Sequence, residues 1–132
     1  MSTLGLDHVN ILTEDLPATV AFYEQVLGLT DDPSVLGSIG IAGTWLRSPN
    51  GDAIVHVVVK DGTRAAYEDY HVGQPTAAVH HVAFRCTGFA ETAARLRDQG
   101  RELAVNDGNY GLKQIILTDP NGIIVEMNFN GE

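Results

Sequence analysis

The chain has 132 residues and is 44% hydrophobic, which predicts one globular domain or two small halves that share a core. Seventeen acidic residues against eight basic ones give a formal net charge of −9, which argues against nucleic acid or an anionic membrane as partner. No apolar run reaches the roughly 18 residues of a membrane span and no basic-then-apolar leader is visible, so we expect a cytoplasmic protein. The single cysteine, Cys86, excludes an internal disulfide and is expected to serve packing.

The first half of the chain predicts a strand, a helix and three further strands. Asp15 offers a helix N-cap, Pro17 is tolerated in the first turn, and Gly28 is placed to end the helix. The apolar stripe predicted for this helix consists of Leu16, Val20, Tyr23 and Leu27. The predicted strands are Leu4–Leu12, Leu29–Asp32, Ile41–Arg47 and Ala53–Lys60, with a loop over Pro33–Gly40.

The second half predicts the same order after a polar connector over Asp61–Thr76. This connector divides the chain into an N-terminal module, residues 1–60, and a C-terminal module, residues 77–132. The second helix opens at Thr87 or Gly88, ends at Gly100, and has an apolar stripe of Phe89, Ala93 and Leu96. The predicted strands are Ala77–Cys86, Glu102–Val105, Lys113–Thr118 and a last strand that follows the turn at Asp119–Gly122 and contains Glu126.

These two halves are an internal repeat of a β-α-β-β-β unit. The dipeptide His8-Val9 recurs as His81-Val82, and Pro49-Asn50-Gly51 recurs as Pro120-Asn121-Gly122. The spacing drifts by single residues, as loop insertions would produce, and it places Glu126 opposite His56. A unit of this size leaves its sheet half-covered, so two units are expected to pair. The sequence predicts an α+β fold with a curved mixed sheet and its helices on the outer face.

Glu126 lies in the middle of an apolar strand pattern and therefore needs a partner, because burying a lone carboxylate costs roughly several kcal/mol. Strand parity supplies candidates. His8 shares a strand face with Asn10, whereas Val9 and Ile11 point to the face expected beneath the helix. The repeat puts three histidines and one carboxylate at equivalent corners of the helix-free face, a donor set suited to a borderline divalent metal. These residues are His8, His56, His81 and Glu126.

Each of these residues also has a simpler interpretation when it is taken alone. His56 in a valine run is typical of a core histidine bonded to a backbone carbonyl. Glu126 could be neutralised by Arg85 or Arg47 in a buried ion pair. The metal hypothesis is favoured because the histidines and the glutamate occupy equivalent positions of the repeat.

With these residues identified, the chain resembles the vicinal oxygen chelate superfamily, which includes glyoxalase I, bleomycin-resistance proteins, extradiol dioxygenases and fosfomycin-resistance enzymes. The resemblance covers nearly the whole chain. Its motifs are Leu6-Asp7-His8-Val9, Phe22-Tyr23-Glu24-Gln25-Val26-Leu27-Gly28-Leu29, His80-His81-Val82-Ala83-Phe84, and Asp119-Pro120-Asn121-Gly122 leading to Glu126. The resemblance implies two βαβββ modules forming a cup around one divalent metal ion (Ni, Zn, Mn, Co or Fe(II)), with His8, His56, His81 and Glu126 at the ligand positions.

The family mechanism, by resemblance, is chelation of a substrate through two neighbouring oxygens by a metal that stabilises an enolate or oxyanion. Glyoxalase-like isomerase or lyase chemistry is the first choice, with Glu126 and His81 as catalytic residues. Members of that branch commonly have Glu or Gln where this chain has His56, which removes one candidate base. The alternative is an Fe(II) ring-cleaving dioxygenase with His8, His81 and Glu126 as ligands. Fosfomycin-resistance chemistry ranks low, because its cation loop and basic phosphonate pocket are not found here.

A non-enzymatic binding protein of the bleomycin-resistance type is the third alternative, although such members generally lack the ligand set. Residues expected to contact a small oxygenated substrate are Asn10, Arg85, Tyr110 and Asn128, with Ala83 and Ile124 on the same face. Two registers remain open for the third strand, exposing either Trp45 with Arg47 or Thr44 with Leu46; core packing is favoured for Trp45. Tyr70 or His71 in the connector could serve a lid. A homodimer is expected by resemblance, with modules paired within one chain or exchanged between two.

Overall fold

The computed structural model of the protein describes residues 1–60 and 79–129, except for the side chain of Tyr110. The chain divides into two compact units, Met1–Val72 and Gly73–Glu132. The predicted connector over 61–76, with Tyr70 and His71, lies outside the described residues. Within the described residues, no helix is both long enough and apolar enough to cross a membrane.

The first unit is a four-stranded mixed sheet with one long helix. Its elements are β1 (Val9–Thr13), α1 (Leu16–Leu27), β2 (Thr30–Asp32), α2 (Ser34–Ser38), β3 (Gly43–Arg47) and β4 (Ala53–Val59). The strand order is β1-β4-β3-β2, with β1 parallel to β4 and the other pairs antiparallel. Helix α1 contacts β2, β3 and β4. The first strand is shorter than predicted: it begins at Val9, and Leu4 and Leu6 before it are exposed.

Helix α1 begins and ends where the sequence predicts, but it buries a different stripe. The side chain of Asp15 accepts a hydrogen bond from the Ala18 backbone N–H at 3.1 Å, and Gly28 adopts a left-handed φ of 68° at the other end. The predicted stripe is wrong at three of its four positions, because only Tyr23 is buried. The buried residues of α1 are Thr19, Phe22, Tyr23 and Val26.

The predicted loop over Pro33–Gly40 is also wrong, because it contains the short helix α2. Asp32 caps this turn by accepting hydrogen bonds from the Ser34 backbone N–H at 3.2 Å and from its hydroxyl at 2.5 Å. Leu36 is buried, and α2 packs against β3. A single buried leucine among serines and a glycine gives no periodicity, so the pattern could not indicate a helix.

The second unit repeats the first in its own sheet. Its elements are β5 (Val82–Cys86), α3 (Phe89–Asp98), β6 (Ala104–Asp107), a short 3-10 helix (Asn109–Gly111), β7 (Lys113–Thr118) and β8 (Ile124–Phe129). The strand order is β5-β8-β7-β6, again with the first and last strands parallel. The stripe predicted for α3 is confirmed, because Phe89, Ala93 and Leu96 are all buried.

The register of the two sheets supports the repeat residue by residue. Val9 pairs with Val55 in the first unit, and Val82 pairs with Val125 in the second. The α+β class and the βαβββ order of each half are therefore confirmed. In each unit the core lies on the sheet face that carries these buried valines of the last strand, both 0% exposed.

Candidate metal centre

The four predicted ligands lie at two equivalent corners, one in each unit. His8 and His81 directly precede β1 and β5, while His56 and Glu126 are the fourth residue of β4 and the third residue of β8. The chain neighbours of His56, Val55 and Val57, are 0% exposed, and those of Glu126 are 0% and 2% exposed. Because side chains alternate along a strand, His56 and Glu126 point away from the core of their own sheet.

The first corner consists of His8, His56 and Trp45, whose rings form a stack. The centroids of the His8 and His56 rings are 3.7 Å apart with 14° between their planes. The Trp45 ring lies on the other side of His56 at 4.6 Å and 8°. The Arg47 guanidinium lies 5.7 Å from the centre of the Trp45 ring. His56 is therefore enclosed between two rings.

This stack decides the register that the sequence left open. Thr44 and Leu46 are 1% and 0% exposed in the core, whereas Trp45 and Arg47 are half-buried on the face of His56. The expected core role for Trp45 is therefore wrong. Partial burial lowers the pKa of His56 from its ordinary value, and the neighbouring charge of His8 lowers it further.

The second corner consists of His81, Glu126, Gln114 and Asn128. The Nε2 atom of His81 lies 3.7 Å from Oε2 of Glu126, and the glutamate side chain is 14% exposed. Oε1 of Glu126 accepts a hydrogen bond from the Gln114 amide at 3.2 Å, and Oε2 accepts one from the Asn128 amide at 3.0 Å. Neutral amides and one imidazole thus surround this carboxylate.

The two first-strand histidines share a feature that suits metal ligands. Nδ1 of His8 is 2.6 Å from the Asp7 carboxylate, and Nδ1 of His81 is 3.0 Å from Nδ1 of His80. In each case the residue immediately before the histidine contacts its δ nitrogen. Metal-binding histidines usually donate from their other ring nitrogen to a carboxylate, a carbonyl or water, and Asp7 is such a partner for His8.

In the second corner, two ligand atoms are close enough together to share a divalent metal. Ligand atoms sit about 2.0–2.2 Å from zinc, so two of them can share an ion when they are less than roughly 4 Å apart. The 3.7 Å separation between His81 and Glu126 meets this condition. A carboxylate next to an imidazole also matches the chemistry of borderline metal sites.

The first corner fits only through one of its two histidines. An imidazole nitrogen binds a metal in the plane of its ring at about 2.0–2.1 Å. The rings of His8 and His56 are nearly parallel and their centroids are 3.7 Å apart, so their planes do not meet at such a point. One ring must rotate before both could bind, and His8 is the freer of the two because it precedes the strand and has a side chain that is 36% exposed.

The structure brings the predicted ligands together as two pairs, His8 with His56 and His81 with Glu126. In residues 1–60 and 79–129, no group of three or more histidine, cysteine, aspartate or glutamate side chains stands close enough to hold a metal. Cys86 is not a candidate, because burial raises the pKa of its thiol to about 11 and keeps it protonated near neutral pH.

The arginines expected as alternative partners of Glu126 do not pair with it. Arg47 donates from Nε to Asp32 at 2.8 Å and from Nη1 to the Gly51 carbonyl at 2.8 Å. Arg85 is exposed and forms no ion pair with any residue in the described part of the chain. Within that part, His81 is the basic residue nearest to the Glu126 carboxylate.

The residues predicted to contact substrate stand beside these corners. Asn10 is exposed and pairs in register with His56, while the exposed Ala83 pairs with Glu126. Asn128 binds Glu126 directly, and Ile124 is half-buried. The side chain of Tyr110 lies outside the described part of the structure.

Three residues at the corners were missed from the sequence: Asp7, His80 and Gln114. Asp7 and His80 occupy the same position of the repeat, immediately before each first-strand histidine, and this equivalence was a usable signal. Gln114 lies on the face of β7 opposite to the buried residues Ile115 and Leu117. Its strand face could therefore be inferred, but its contact with Glu126 depends on the register of β7 against β8.

Comparison with known proteins agrees with this fold. Residues 5–127 match the family model of the glyoxalase/bleomycin resistance protein/dioxygenase superfamily. The chain is 25% identical over 132 residues to glyoxylase I 4 of Arabidopsis thaliana, an alignment that covers 93% of this chain and 69% of that protein.

Solved structures with low sequence identity share the fold. A glyoxalase/dioxygenase from Nostoc punctiforme superposes with a TM-score of 0.71 at 18% identity, covering 98% of this chain and 92% of that one. A virulence protein from Salmonella typhimurium gives a TM-score of 0.69 at 18% identity, covering 98% of both chains. The repeat, the two sheets and the matched family model together lead to one conclusion: the chain belongs to the glyoxalase, bleomycin resistance protein and dioxygenase superfamily, the vicinal oxygen chelate group that its motifs resemble.

Proposed function

We propose that this protein is a divalent-metal-dependent enzyme that binds a small substrate through two neighbouring oxygens and carries out isomerase or lyase chemistry of the glyoxalase type. The observation that supports this most strongly is the His81–Glu126 pair, whose Nε2 and Oε2 atoms are 3.7 Å apart. The similarity to glyoxylase I 4 of Arabidopsis thaliana supports the choice of redox-neutral chemistry.

The proposed ligands are His8, His81 and Glu126, with His56 as a fourth ligand only if the stack of the His8 and His56 rings opens. Each unit contributes to the set, from one chain or from two copies of it. Three imidazoles and a carboxylate suit Ni, Zn, Mn, Co or Fe(II). We also expect a cytoplasmic homodimer, as is common in this superfamily.

A bound metal would act as a Lewis acid that polarises the substrate oxygens. Glu126 would help to hold the metal and is also the proposed base, which takes a proton from the substrate carbon. The amide of Gln114 stays on Oε1 and keeps the carboxylate near the reacting carbon. His81 would hold the other side of the site through Nε2, and its Nδ1 lies 3.0 Å from Nδ1 of His80.

We propose that polar residues on the sheet faces that carry His56 and Glu126 orient the substrate. Asn10 stands next to His56 in the sheet register, and Asn128 stands two residues from Glu126 on the same side of β8. Their amides can donate to or accept from substrate oxygens. Arg85, exposed and two residues beyond Ala83, is suited to an anionic group of the substrate. We propose Tyr110 as a further substrate contact.

A second candidate, ring cleavage with Fe(II) and oxygen, is favoured by the ring stack of the first corner. If His56 stays between His8 and Trp45, the ligands are two histidines and one carboxylate. That set leaves positions open for substrate and oxygen and is typical of non-haem iron oxygenases.

Elemental analysis of protein purified without added metal, together with oxygen uptake on catechols, distinguishes these functions. Nickel, zinc, manganese or cobalt near one ion per chain, without oxygen uptake, supports the isomerase or lyase proposal. Iron with oxygen uptake supports ring cleavage instead. Protein that contains no metal and takes none up on reconstitution would overturn both and leave a small-molecule binding protein.

A further inference from the structure

The carboxylate of Glu126 stands at the end of a directional chain of amides. Asn106 donates from Nδ2 to Oε1 of Gln114 at 3.1 Å. Gln114 then donates from Nε2 to Glu126 at 3.2 Å and to Oδ1 of Asn128 at 2.9 Å. Asn128 donates in turn to the other oxygen of Glu126 at 3.0 Å. Both carboxylate oxygens therefore accept from side chains that have no charge.

The orientation of the Gln114 amide follows from these contacts. Its oxygen faces the donor of Asn106, so its nitrogen must face Glu126 and Asn128. Asn106 is itself held by the segment before β7. Its Oδ1 accepts a hydrogen bond from the Asn109 backbone N–H at 3.0 Å, and its Nδ2 is 3.3 Å from the Asn109 carbonyl oxygen. If the Gln114 amide were flipped, its nitrogen would face the donor of Asn106, and its oxygen would face the oxygens of Glu126 and Asn128.

Only the unit that carries the glutamate has this amide. In the second unit, Gln114 of β7 pairs with Asn128 of β8. At the equivalent position of the first unit, Gly43 of β3 pairs with Val58 of β4. A Cβ atom at Gly43 would lie 2.2 Å from the Val57 carbonyl oxygen, so no side chain fits there without a backbone shift. The position equivalent to Gln114 in the first unit therefore carries no side chain.

We propose that Gln114 is a positioning residue for Glu126: it holds Oε1 so that Oε2 stays turned to Nε2 of His81, and thereby sets the affinity and geometry of metal binding. This inference rests on the proposed metal site. Carboxylates that bind a metal are commonly oriented by hydrogen bonds of this kind, and loss of such a partner reduces metal affinity by roughly 10–100-fold.

The test is a titration of the full chain with Co²⁺, which reports affinity and, through its visible absorption, coordination geometry. Gln114→Met keeps the length of the side chain and removes the donor. We expect its Co²⁺ dissociation constant to rise about 10–100-fold, with a changed visible spectrum. Asn106→Ala keeps Gln114 but releases its amide, so a smaller change in the same direction is expected. Gln25→Met on the exposed side of α1 is the matched control and should bind Co²⁺ like the wild type.

The outcomes separate this inference from the proposed function. Wild-type protein that does not bind Co²⁺ would overturn the metal site itself, and the role of Gln114 with it. Wild-type binding with an unchanged affinity and spectrum in Gln114→Met would overturn only the positioning role. Should Gln114→Met fail to fold, Asn106→Ala decides in the same way, because it truncates only a half-buried side chain on the edge strand β6.

Discussion

The two units share a strand order and a register, but they carry different chemistry at the same position of the repeat. In the first unit His56 is enclosed between the rings of His8 and Trp45. In the second unit Glu126 is held by the amides of Gln114 and Asn128. The neighbours match the residue at the corner: aromatic rings cover an imidazole, and donors surround a carboxylate.

The comparison shows how a repeat can diverge without a change in fold. Both units bury the same face of the sheet, where the valines of the last strand are 0% exposed. The opposite face has no packing requirement of this kind, so substitutions there alter chemistry and leave the core intact. His56 and Glu126 are one such pair.

The largest expected effect is the loss of metal binding in Glu126→Gln. The substitution keeps shape but removes the only carboxylate of the proposed set, so Co²⁺ affinity should fall by more than the roughly 100-fold that an outer partner can account for. Titration calorimetry measures this, and circular dichroism checks that the fold is kept. Glu24→Gln, on the exposed side of α1, is the control. Unchanged binding in Glu126→Gln would refute the ligand assignment.

The next largest effect concerns the core of each unit and tests whether the two buried faces are equivalent. Leu46 pairs with Val55, and Leu117 pairs with Val125 at the same position of the repeat. Truncating either leucine to alanine removes buried contacts and should reduce the free energy of unfolding by about 2–5 kcal/mol. Urea denaturation measures both values. A loss well below this range for one of them would show that the two cores are not packed alike.

A smaller effect is expected at the position of the first unit that is equivalent to Glu126. His56→Ala should weaken Co²⁺ binding by less than about tenfold, because the ring stack keeps His56 out of the ligand set and leaves it an outer neighbour of His8. The same titration measures this. A loss as large as that of Glu126→Gln would show that His56 leaves the stack and binds the metal as a fourth ligand.

The smallest effect is a pH-dependent one away from both corners. Hydrogen bonds from Ser34 and then Arg47 hold the pKa of Asp32 below its ordinary 3.8. Because the pKa is lower in the folded than in the unfolded state, this carboxylate stabilises the fold above the unfolded-state pKa, and the stabilisation is lost as pH falls through the folded-state value.

Asp32→Asn should therefore lower the melting temperature slightly at pH 7, and its difference from the wild type should shrink in acid. Thermal unfolding measured at pH 7 and at a pH below the ordinary pKa of aspartate checks this. Asp98→Asn at the exposed end of α3 is the control. A difference that grew as the pH fell would contradict the sign of the pKa shift.

Local signals in the sequence predicted much of the fold. Asp15 and Gly28 fixed the ends of α1, because capping chemistry acts within one turn of the helix. The buried stripe of α1 was mispredicted because Thr19 was not counted as a core residue. In the structure its hydroxyl donates to the Asp15 carbonyl at 3.0 Å and lies 3.0 Å from the Thr13 hydroxyl, so burial leaves it satisfied.

The ligand set of the candidate site stays a prediction, and the structure brings its residues together in two pairs. The repeat singled out His8, His56, His81 and Glu126 because equivalent positions can be read from spacing alone. The stack of Trp45 on His56 and the contact of Gln114 with Glu126 depend on strand register, which the sequence left open. Residues next to a corner in space but distant along the chain are therefore the ones that were missed.

The central proposal is that His8, His81 and Glu126 hold one metal ion, and a Co²⁺ titration of His8→Ala and His81→Ala tests it most directly. We predict that the wild type binds one Co²⁺ per chain and that each substitution, in a different unit, removes this same binding event. Tight one-to-one binding that survives in His8→Ala would contradict the claim, because the metal would then belong to the second unit alone.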